Sequence, residues 1–274
     1  MIVFFIFFVV LIRHHHAGVL SQTTEKCILT DANASEAITR AFSGVENGSH
    51  ACDGGFSHWD VSRITSMDHW FQNRPTFNGN VSNWDVSSVT SMRRMFYADV
   101  VFNADLSRWN VANVKDMVEI FGGCSVFNSN ISSWDVSSVT SMENSFHSAR
   151  LFDSPLQYWD TSSVKSMIGM FENSENFNNG NNTLGMNWNV ESVTGMEDMF
   201  ARALNFNADI STWKPFSLTR MGAMFQEARS FNVDLSDWNV FSTSLSLSLS
   251  LSAYNLSLTL YQHDTHTHTI YRSN

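Results

Sequence analysis

The sequence is short of charge, of cysteine and of catalytic motifs, and these shortages exclude several classes of protein. Charged residues make up 15% of the 274 positions, and 26 Asp and Glu outweigh 16 Lys and Arg to give a net charge of −10. Nucleic-acid binding needs clustered Lys and Arg against the phosphates, and a basic membrane-surface face needs the same. We therefore expect no nucleic-acid partner, and a membrane contact only through an N-terminal signal anchor.

Motifs of catalysis and of cofactor binding are missing as well. The chain has no Gly-x-Ser-x-Gly, no phosphate-binding loop, no Gly-x-Gly-x-x-Gly and no His-Glu-x-x-His. His58, Asp60, Asp68 and His69 lie close together in sequence, but we expect them to be exposed side chains rather than a catalytic group. The sequence thus predicts no enzyme activity, no catalytic or cofactor-binding residues and no cofactor.

Against these shortages, Trp, Met and Phe recur at a fixed interval, which indicates internal repeats. The unit begins Trp-(Asp/Asn)-Val-Ser-Ser-Val-Thr-Ser-Met-x-x-Met-Phe, continues through Phe-Asn and (Leu/Ile/Val)-Ser, and spans 25 residues. One interval is four residues longer and carries the Asn and Gly typical of a surface loop. The series are Trp59, Trp84, Trp109, Trp134, Trp159, Trp188, Trp213 and Trp238; Met67, Met92, Met117, Met142, Met167, Met196 and Met221; Phe71, Phe96, Phe121, Phe146, Phe171, Phe200 and Phe225; and Phe77, Phe102, Phe127, Phe152, Phe177, Phe206 and Phe231.

This period predicts a repeat solenoid of the α/β, leucine-rich-repeat-like class, with short parallel strands and short helices in coils of about 25 residues. Residues 59–240 would form one elongated domain of tandem repeats. Over residues 85–91, Asp, Ser and Thr compete for backbone hydrogen bonds or are β-branched, which favours a short strand. A short helix is expected over residues 93–99, although a helical hairpin would show the same apolar spacing. One unit cannot bury its core alone, so neighbouring units must stack.

Both ends depart from the repeat. Residues 1–22 open with an apolar run of signal-peptide length, which indicates a signal peptide or signal anchor, or else a start codon placed too far upstream. Residues 28–58 are expected to cap the first repeat, with a helix that Thr30 or Asp31 initiates. Residues 241–274 alternate Ser-Leu and then Thr-His, which favours a disordered low-complexity tail, with an edge strand over the Ser-Leu stretch as the alternative.

The cysteines lack the spacing of a zinc site. Cys27 and Cys52 flank the capping segment and can form a disulfide if the chain is secreted. Cys124 falls at a mostly small position of the repeat, where we expect a small buried side chain. His residues near both ends are not expected to bind a metal, because a metal site needs convergent ligands. Sequons at Asn33, Asn47, Asn80, Asn130, Asn181 and Asn255 are compatible with secretion.

The unit resembles the repeat of BspA-like leucine-rich-repeat surface proteins, also described as the bacterial surface-protein 26-residue repeat. The resemblance rests on Trp-Asp-Val-Ser-Ser-Val-Thr-Ser-Met, Met-Phe, Phe-Asn and (Leu/Ile)-Ser-x-Trp over residues 59–240, and on Leu-Thr-Asp-Ala-Asn-Ala-Ser-Glu-Ala-Ile before them. It implies a right-handed solenoid with parallel strands, secretion or surface display, and adhesion or protein binding as the usual role. It implies no catalytic residues.

Variable positions beside invariant ones are the candidates for ligand contact, because a binding surface should differ between repeats while a scaffold should not. The Trp series offers an alternative, since aromatic faces can stack on sugars. Its register with apolar Val and Met nevertheless favours burial in the core. The variable candidates are Arg93, Arg94, Lys115, Asp116, Glu143, Asn144, Ile168, Gly169, Glu197 and Asp198.

Two repeating series of Asp and Asn raise the question of calcium. Calcium takes about six to eight oxygen ligands, whereas each coil offers one or two such side chains. Asp and Asn more commonly bond the backbone of a turn, so no metal site is predicted. The first series is Asp60, Asp85, Asn110, Asp135, Asp160, Asn189 and Asn239, and the second is Asn78, Asn103, Asn128, Asp153, Asn178, Asn207 and Asn232.

The sequence therefore favours a non-enzymatic cell-surface or secreted protein that mediates adhesion or binds a protein or a glycan through one face of the solenoid. An intracellular interaction scaffold built on the same solenoid is the alternative. A third hypothesis is a fragment of a longer chain that carries further repeats. An extracellular and an intracellular location both remain open at this point.

Overall fold

The computed structural model describes residues 27–43, 52, 55–181, 184–240, 257–264 and 267–273. Residues 1–22, with their expected signal peptide or anchor, lie outside this range. The regular elements in chain order are β1 (Cys27–Thr30), α1 (Ala34–Ser43), a 3-10 turn over Phe56–His58, β2 (Trp59–Arg63), a second 3-10 turn over Asn179–Asn181, β3 (Asn239–Val240), β4 (Ser257–Asp264) and β5 (Thr267–Ser273).

The segment before the first repeat packs against it through a strand, a helix and a disulfide. β1 pairs in parallel with β2, with Cys27 opposite Trp59. Cys27 is bonded to Cys52, and their Cα atoms are 4.7 Å apart. α1 follows β1, and its Phe42 ring lies 5.9 Å from the ring of Phe77 in the first repeat. The aromatic core therefore continues into this segment instead of ending at an open face.

Asp31 joins this segment to the first repeat rather than capping α1. Its carboxylate accepts the Thr65 backbone N–H at 2.9 Å and the Thr65 hydroxyl at 2.5 Å. The hydroxyl bond is the main cause that lowers the pKa of Asp31. The residue before α1 is Asn33, whose carbonyl accepts the Ala37 N–H at 3.2 Å. The capping segment is thus tied to the repeats by a side-chain bond as well as by strand pairing.

Successive repeats lie side by side in chain order. One-residue parallel bridges connect the eighth position of each repeat to the next, from Ser66 to Ser91 and onward to Arg220. Equivalent aromatic rings stack between repeats, and the Trp84 and Trp109 rings are 6.3 Å apart and nearly parallel. Within a repeat the two Phe rings also stack, at 3.8 Å for Phe96 and Phe102. The core is therefore a continuous column of aromatic and Met side chains.

The sequence favours a short helix over residues 93–99, but residues 93–98 instead form consecutive turns, and the same holds at equivalent positions of the other described repeats. We call positions nine to fifteen of each repeat the turn strip. Arg94 and Ala98 have positive φ values of 54° and 60°. Their N–H groups donate to Val118 and Gly122 in the next repeat, at 2.9 and 2.7 Å. An α-helix cannot form, because it needs negative φ throughout and would direct those donors within one turn.

The tail segment contains strands in its described part. β4 and β5 pair antiparallel, and β5 also pairs with β3 with Val240 opposite His268, which gives the sheet order β3-β5-β4. The sequence favours disorder over residues 241–274, so residues 257–264 and 267–273 differ from that expectation. The Ser-Leu stretch, for which an edge strand was the alternative, lies outside the described residues.

Candidate functional site

The repeating Trp side chains are buried, so their faces do not form an exposed row of platforms. Trp109, Trp134 and Trp159 are each 3% exposed. Each of these indole N–H groups donates to a carbonyl 28 residues earlier in the chain, at 3.0 Å from Trp109 to Val81 and 3.0 Å from Trp134 to Leu106. The Trp series is therefore part of the core, and it fixes the spacing of neighbouring repeats.

Both series of Asp and Asn bond the backbone. In the first, Asp85 accepts the backbone N–H of Ser87 at 3.1 Å and its hydroxyl at 2.6 Å, which is an Asx turn. In the second, from Asn78 to Asn207, the side-chain oxygen accepts the backbone N–H of the equivalent residue in the next repeat, as when Asn103 accepts the N–H of Asn128 at 2.8 Å. Among the described residues, no three His, Cys, Asp or Glu side chains converge on a point where a metal could bind.

Several variable candidate residues form ion pairs with residues of the neighbouring repeat. Arg94 binds Glu119 through two nitrogens at 2.6 and 2.8 Å, and this hydrogen bond is the main cause that lowers the pKa of Glu119. Arg93 lies 3.7 Å from Asp116. Arg220 lies 3.3 Å from Glu197. These charges link repeats, so they are only partly available for a ligand.

The remaining candidates differ in what they offer. Lys115 is exposed, and Glu143 and Ile168 are half-buried on the turn strip. Gly169 offers no side chain to a ligand. Its φ is 58°, and an added Cβ would lie 2.1 Å from the Asn144 side-chain oxygen, so a substitution there would require the Asn144 side chain to move.

Asp198 lies in a locally negative part of the turn strip. Burial raises its pKa, and the nearby carboxylates of Glu172 and Glu197 raise it further. The Glu172 carboxylate is paired with His147 at 3.2 Å. Acidic groups are thus crowded along repeats four to six, while both carboxylates near Asp198 keep their own ion-pair partners.

A row of exposed aliphatic side chains lies outside the variable positions that the sequence singled out. Val101, Val126 and Leu151 occupy the eighteenth position of three adjacent repeats and are 41%, 36% and 47% exposed. Sequence periodicity assigns apolar residues to the core, which is why this row was missed. The sequence does contain a signal for this row. The flanking repeats carry polar Thr76 and Asn176 at the same position, which indicates that the position lies outside the core.

A second unpredicted feature is a groove where the repeat pattern is interrupted. Its volume is about 260 Å³, and it lies between the sixth and seventh repeats. Trp188 and Val190 lie beneath it and are only 3% and 0% exposed. The polar lining residues are Asn187, Asn189, Glu191, Thr212 and Lys214. The sequence signal was the long interval before Trp188 together with the loss of the Trp-Asp-Val-Ser pattern after Trp213.

The four sequons whose Asn lies in the described range are exposed at that Asn. Asn80 and Asn130 have equivalent places, and the Asn80 oxygen accepts the Ser82 hydroxyl at 2.7 Å. The amide nitrogen of Asn33 instead donates to the Ile28 carbonyl at 3.2 Å. Asn47 and Asn255 lie outside the described residues.

The repeats match the model of one protein family. The family described as "Mycoplasma protein of unknown function, DUF285" matches in three overlapping segments, residues 36–159, 112–185 and 152–259. Successive matches along one chain agree with its repetitive construction. No curated protein and no solved structure matches the chain closely enough to show a relationship. None of the described helices has the length and apolar character needed to cross a membrane.

Proposed function

The chain belongs to the family described as Mycoplasma protein of unknown function, DUF285, and from that premise we propose that it is a non-enzymatic, cell-surface or secreted repeat protein that binds a protein or a glycan. The proposal includes adhesion as its biological role. It also includes a leucine-rich-repeat-like solenoid as the fold class and kinship with the BspA-like surface proteins that the repeat resembles.

The observation that carries the proposal is the contrast between the inside and the outside of the repeats. The buried Trp, Met and Phe recur with few changes, whereas positions ten and eleven of the turn strip are mostly half-buried and carry acidic, basic, amide, apolar and glycine residues in different repeats. A scaffold needs constant core residues, and a recognition surface gains specificity from variation. Such a division is typical of repeat proteins that bind through one face.

The Cys27–Cys52 disulfide supports the extracellular part of the proposal. Disulfides persist in oxidising compartments and are rare in reducing cytosol. Cys124, the remaining cysteine, is buried. Burial raises its pKa well above the ordinary value, so it is a poor nucleophile and carries no argument for redox chemistry.

Location is tested on the full chain in its own cells with an amine-reactive label that cannot cross membranes. We expect the label and an added protease to reach the protein in intact cells. Protection in intact cells combined with digestion after lysis would favour the intracellular scaffold instead.

Binding is tested with the fluorescent full chain on the cells or matrix that it recognises. Glu143→Ser and Ile168→Ser change the turn strip, and Lys115→Thr changes an exposed residue two positions before the strip in its repeat. None of the three breaks one of the observed ion pairs, and together we expect them to weaken binding at least tenfold. A matched control changes Asn83, Arg108 and Tyr158 to Ser, since these exposed residues hold one equivalent position elsewhere on the surface. Equal binding by both folded variants would contradict the assignment of the turn strip.

A further inference from the structure

Two of the sequons lie at one equivalent position of the repeats and expose an amide nitrogen that the fold does not use. Asn80 and Asn130 hold position twenty-two of the first and third repeats, and each is followed two residues later by Ser. Both Asn side chains are exposed. We propose that Asn80 and Asn130 are N-glycosylation sites, each of which takes an oligosaccharide on its side-chain nitrogen. The proposal rests on the surface or secreted location proposed above and adds a modification to it.

The middle residue of each sequon is anchored in the core. Val81 and Ile131 are fully buried. The Val81 carbonyl accepts the Trp109 indole N–H at 3.0 Å, and the Ile131 carbonyl accepts the Trp159 indole N–H at 3.2 Å. The contacts that complete the core therefore also hold the preceding Asn of each sequon at the surface.

Each Asn uses its side-chain oxygen for the fold and leaves its nitrogen free. The Asn80 oxygen accepts the Ser82 backbone N–H at 3.1 Å and the Ser82 hydroxyl at 2.7 Å. The Asn130 oxygen accepts the Ser132 backbone N–H at 3.0 Å. A backbone N–H can only donate, so the atom that faces it is the oxygen and the orientation of each amide is fixed. Neither amide nitrogen has a hydrogen-bond partner among the described residues, so a sugar on it displaces no bond.

Other repeats show that the turn needs only the oxygen. Asp105 and Asp209 hold the equivalent position and accept the N–H of Ser107 and Ser211, both at 2.9 Å. A carboxylate has no N–H group, and it satisfies the turn as the amide does. The amide nitrogens of the two sequons therefore have no part in the turn and are available for modification.

The other two sequons whose Asn is described use that nitrogen within the fold. The Asn33 nitrogen donates to the Ile28 carbonyl at 3.2 Å, and the Asn33 oxygen accepts the Thr30 N–H at 2.7 Å. The Asn181 nitrogen donates to the Asp153 carboxylate at 3.5 Å. A glycan would compete with these bonds, so neither Asn belongs to the proposed sites.

The reaction takes its sugar from an oligosaccharide that is linked to a lipid through a diphosphate. A bond forms between the amide nitrogen and the anomeric carbon, and the bond from that carbon to the diphosphate oxygen breaks. A base of the transferring enzyme takes the amide proton, and the lipid diphosphate leaves with the electron pair of the broken bond. In the folded chain the Ser82 hydroxyl is already bonded to Asn80, so transfer precedes folding of the repeat.

The two sites leave the proposed binding positions uncovered. Both sequons occupy positions twenty-two to twenty-four, outside the turn strip. The second repeat lies between them and carries Asp105 at the equivalent position, which keeps two bulky glycans off adjacent repeats.

The test uses the full chain isolated from its own cells. Digestion with a peptide N-glycosidase in heavy-oxygen water converts each glycosylated Asn into an Asp that carries the heavy isotope, and peptide mass spectrometry locates it. We expect the isotope at residues 80 and 130, together with an increase in gel mobility on digestion. A sample kept in the same water without the enzyme controls for spontaneous deamidation.

The key variant is Asn80→Asp with Asn130→Asp, which keeps the oxygen that the turn uses and removes the nitrogen. Its mobility shift on digestion should be smaller than that of wild type by two glycans. After digestion both proteins carry Asp at the two sites, so they should have the same urea midpoint. Asn103→Asp is the matched control, because the fourth repeat carries Asp153 at that position and no sequon includes it. The control should show the full wild-type shift.

Unmodified Asn at both positions would overturn the proposal, and so would an equal mobility shift in wild type and the key variant. A protein that the membrane-impermeant label reaches on intact cells, but that has no glycan at either position, keeps its surface location and loses only the modification. Absence of labelling together with absence of glycans would contradict both proposals.

Discussion

Asp99 is an acidic residue inside the core, at a position that is otherwise small. Cys124 and Ser174 hold equivalent places, and each donates to a carbonyl of the preceding repeat, at 3.0 Å to Phe96 and 2.6 Å to Phe146. Asp99 is fully buried, and neither of its oxygens has a hydrogen-bond partner. Burial raises its pKa to about 8, and the nearby Phe77 amide opposes this without reaching hydrogen-bonding geometry. Asp99 is therefore largely protonated at neutral pH.

This protonation makes the stability of the fold depend on pH. The unfolded carboxyl has an ordinary pKa of 3.8, so between about pH 4 and pH 8 the unfolded chain releases a proton that the folded chain retains. The free energy of unfolding must then fall as pH rises through this window. A tenfold change in proton affinity corresponds to about 1.4 kcal/mol, so the stability of Asp99→Ser relative to wild type should rise by several kcal/mol between pH 4 and pH 8.

Urea unfolding across pH 4 to 9 measures this difference. Cys124→Ser is the control, because it changes a residue in the same row without adding or removing a carboxyl group. A parallel pH dependence in wild type and Asp99→Ser would show that the Asp99 carboxyl is ionised in the fold.

At the scale of the element, the turn strip depends on left-handed backbone at two positions of every described repeat. Of the fourteen residues there, only Gly123 and Gly169 are glycine, and the others include Arg94, Ala98 and Glu119. Left-handed geometry costs roughly 1–2 kcal/mol for a residue with a Cβ. The contacts between repeats therefore impose this conformation against local preference.

The substitution Ala98→Gly tests directly whether contacts between repeats impose left-handed geometry on residue 98. Ala98 has a φ of 60°, so removing its Cβ should stabilise the protein by about 1 kcal/mol, as seen in the urea midpoint. Ala112→Gly is the control, since Ala112 does not have positive φ and the same change there should destabilise by roughly 0.5–1 kcal/mol. Destabilisation by both changes would mean that Ala98 is not left-handed in solution.

The difference between local residue preference and contacts between repeats explains which features the sequence could predict. Burial of Trp109 and of the Phe and Met series followed from their register, because apolar residues at invariant positions must meet each other. The turns at Arg94 and Ala98 did not follow, because their donors go to a neighbouring repeat and no local residue preference signals that. The groove at Glu191 and Lys214 was missed for another reason. It depends on departures from the pattern, whereas the sequence analysis searched for the pattern itself.

At the scale of the molecule, the first repeat depends on the segment that precedes it. The Cys27–Cys52 bond closes a loop of 25 residues in sequence separation, and such a loop is expected to contribute about 3 kcal/mol by restricting the unfolded chain. The Trp59 indole also donates to the Cys52 carbonyl at 3.3 Å. Cys52→Ser should therefore lower the free energy of unfolding by about that amount.

Reducing agent provides the matching measurement. It should lower the urea midpoint of wild type to that of Cys52→Ser, and it should leave Cys52→Ser itself unchanged. Cys124→Ser should respond to the reductant as wild type does, because Cys124 forms no disulfide. Insensitivity of wild type would show that the bond does not form in solution.

The repeats should also be interchangeable as stacking units, which tests the proposed solenoid itself. Deleting residues 110–134 joins Trp109 to Asp135 and keeps every position in register, so the Trp, Phe and Asn rows can close over the gap. In a nearest-neighbour array the loss is one repeat and one interface, so we expect a folded protein with a cooperative but weaker unfolding transition. Deleting residues 110–121 instead places Met and Phe rows opposite polar positions and should prevent folding. Circular dichroism and urea unfolding compare the two chains, and equal damage from both deletions would contradict a fold built from equivalent coils.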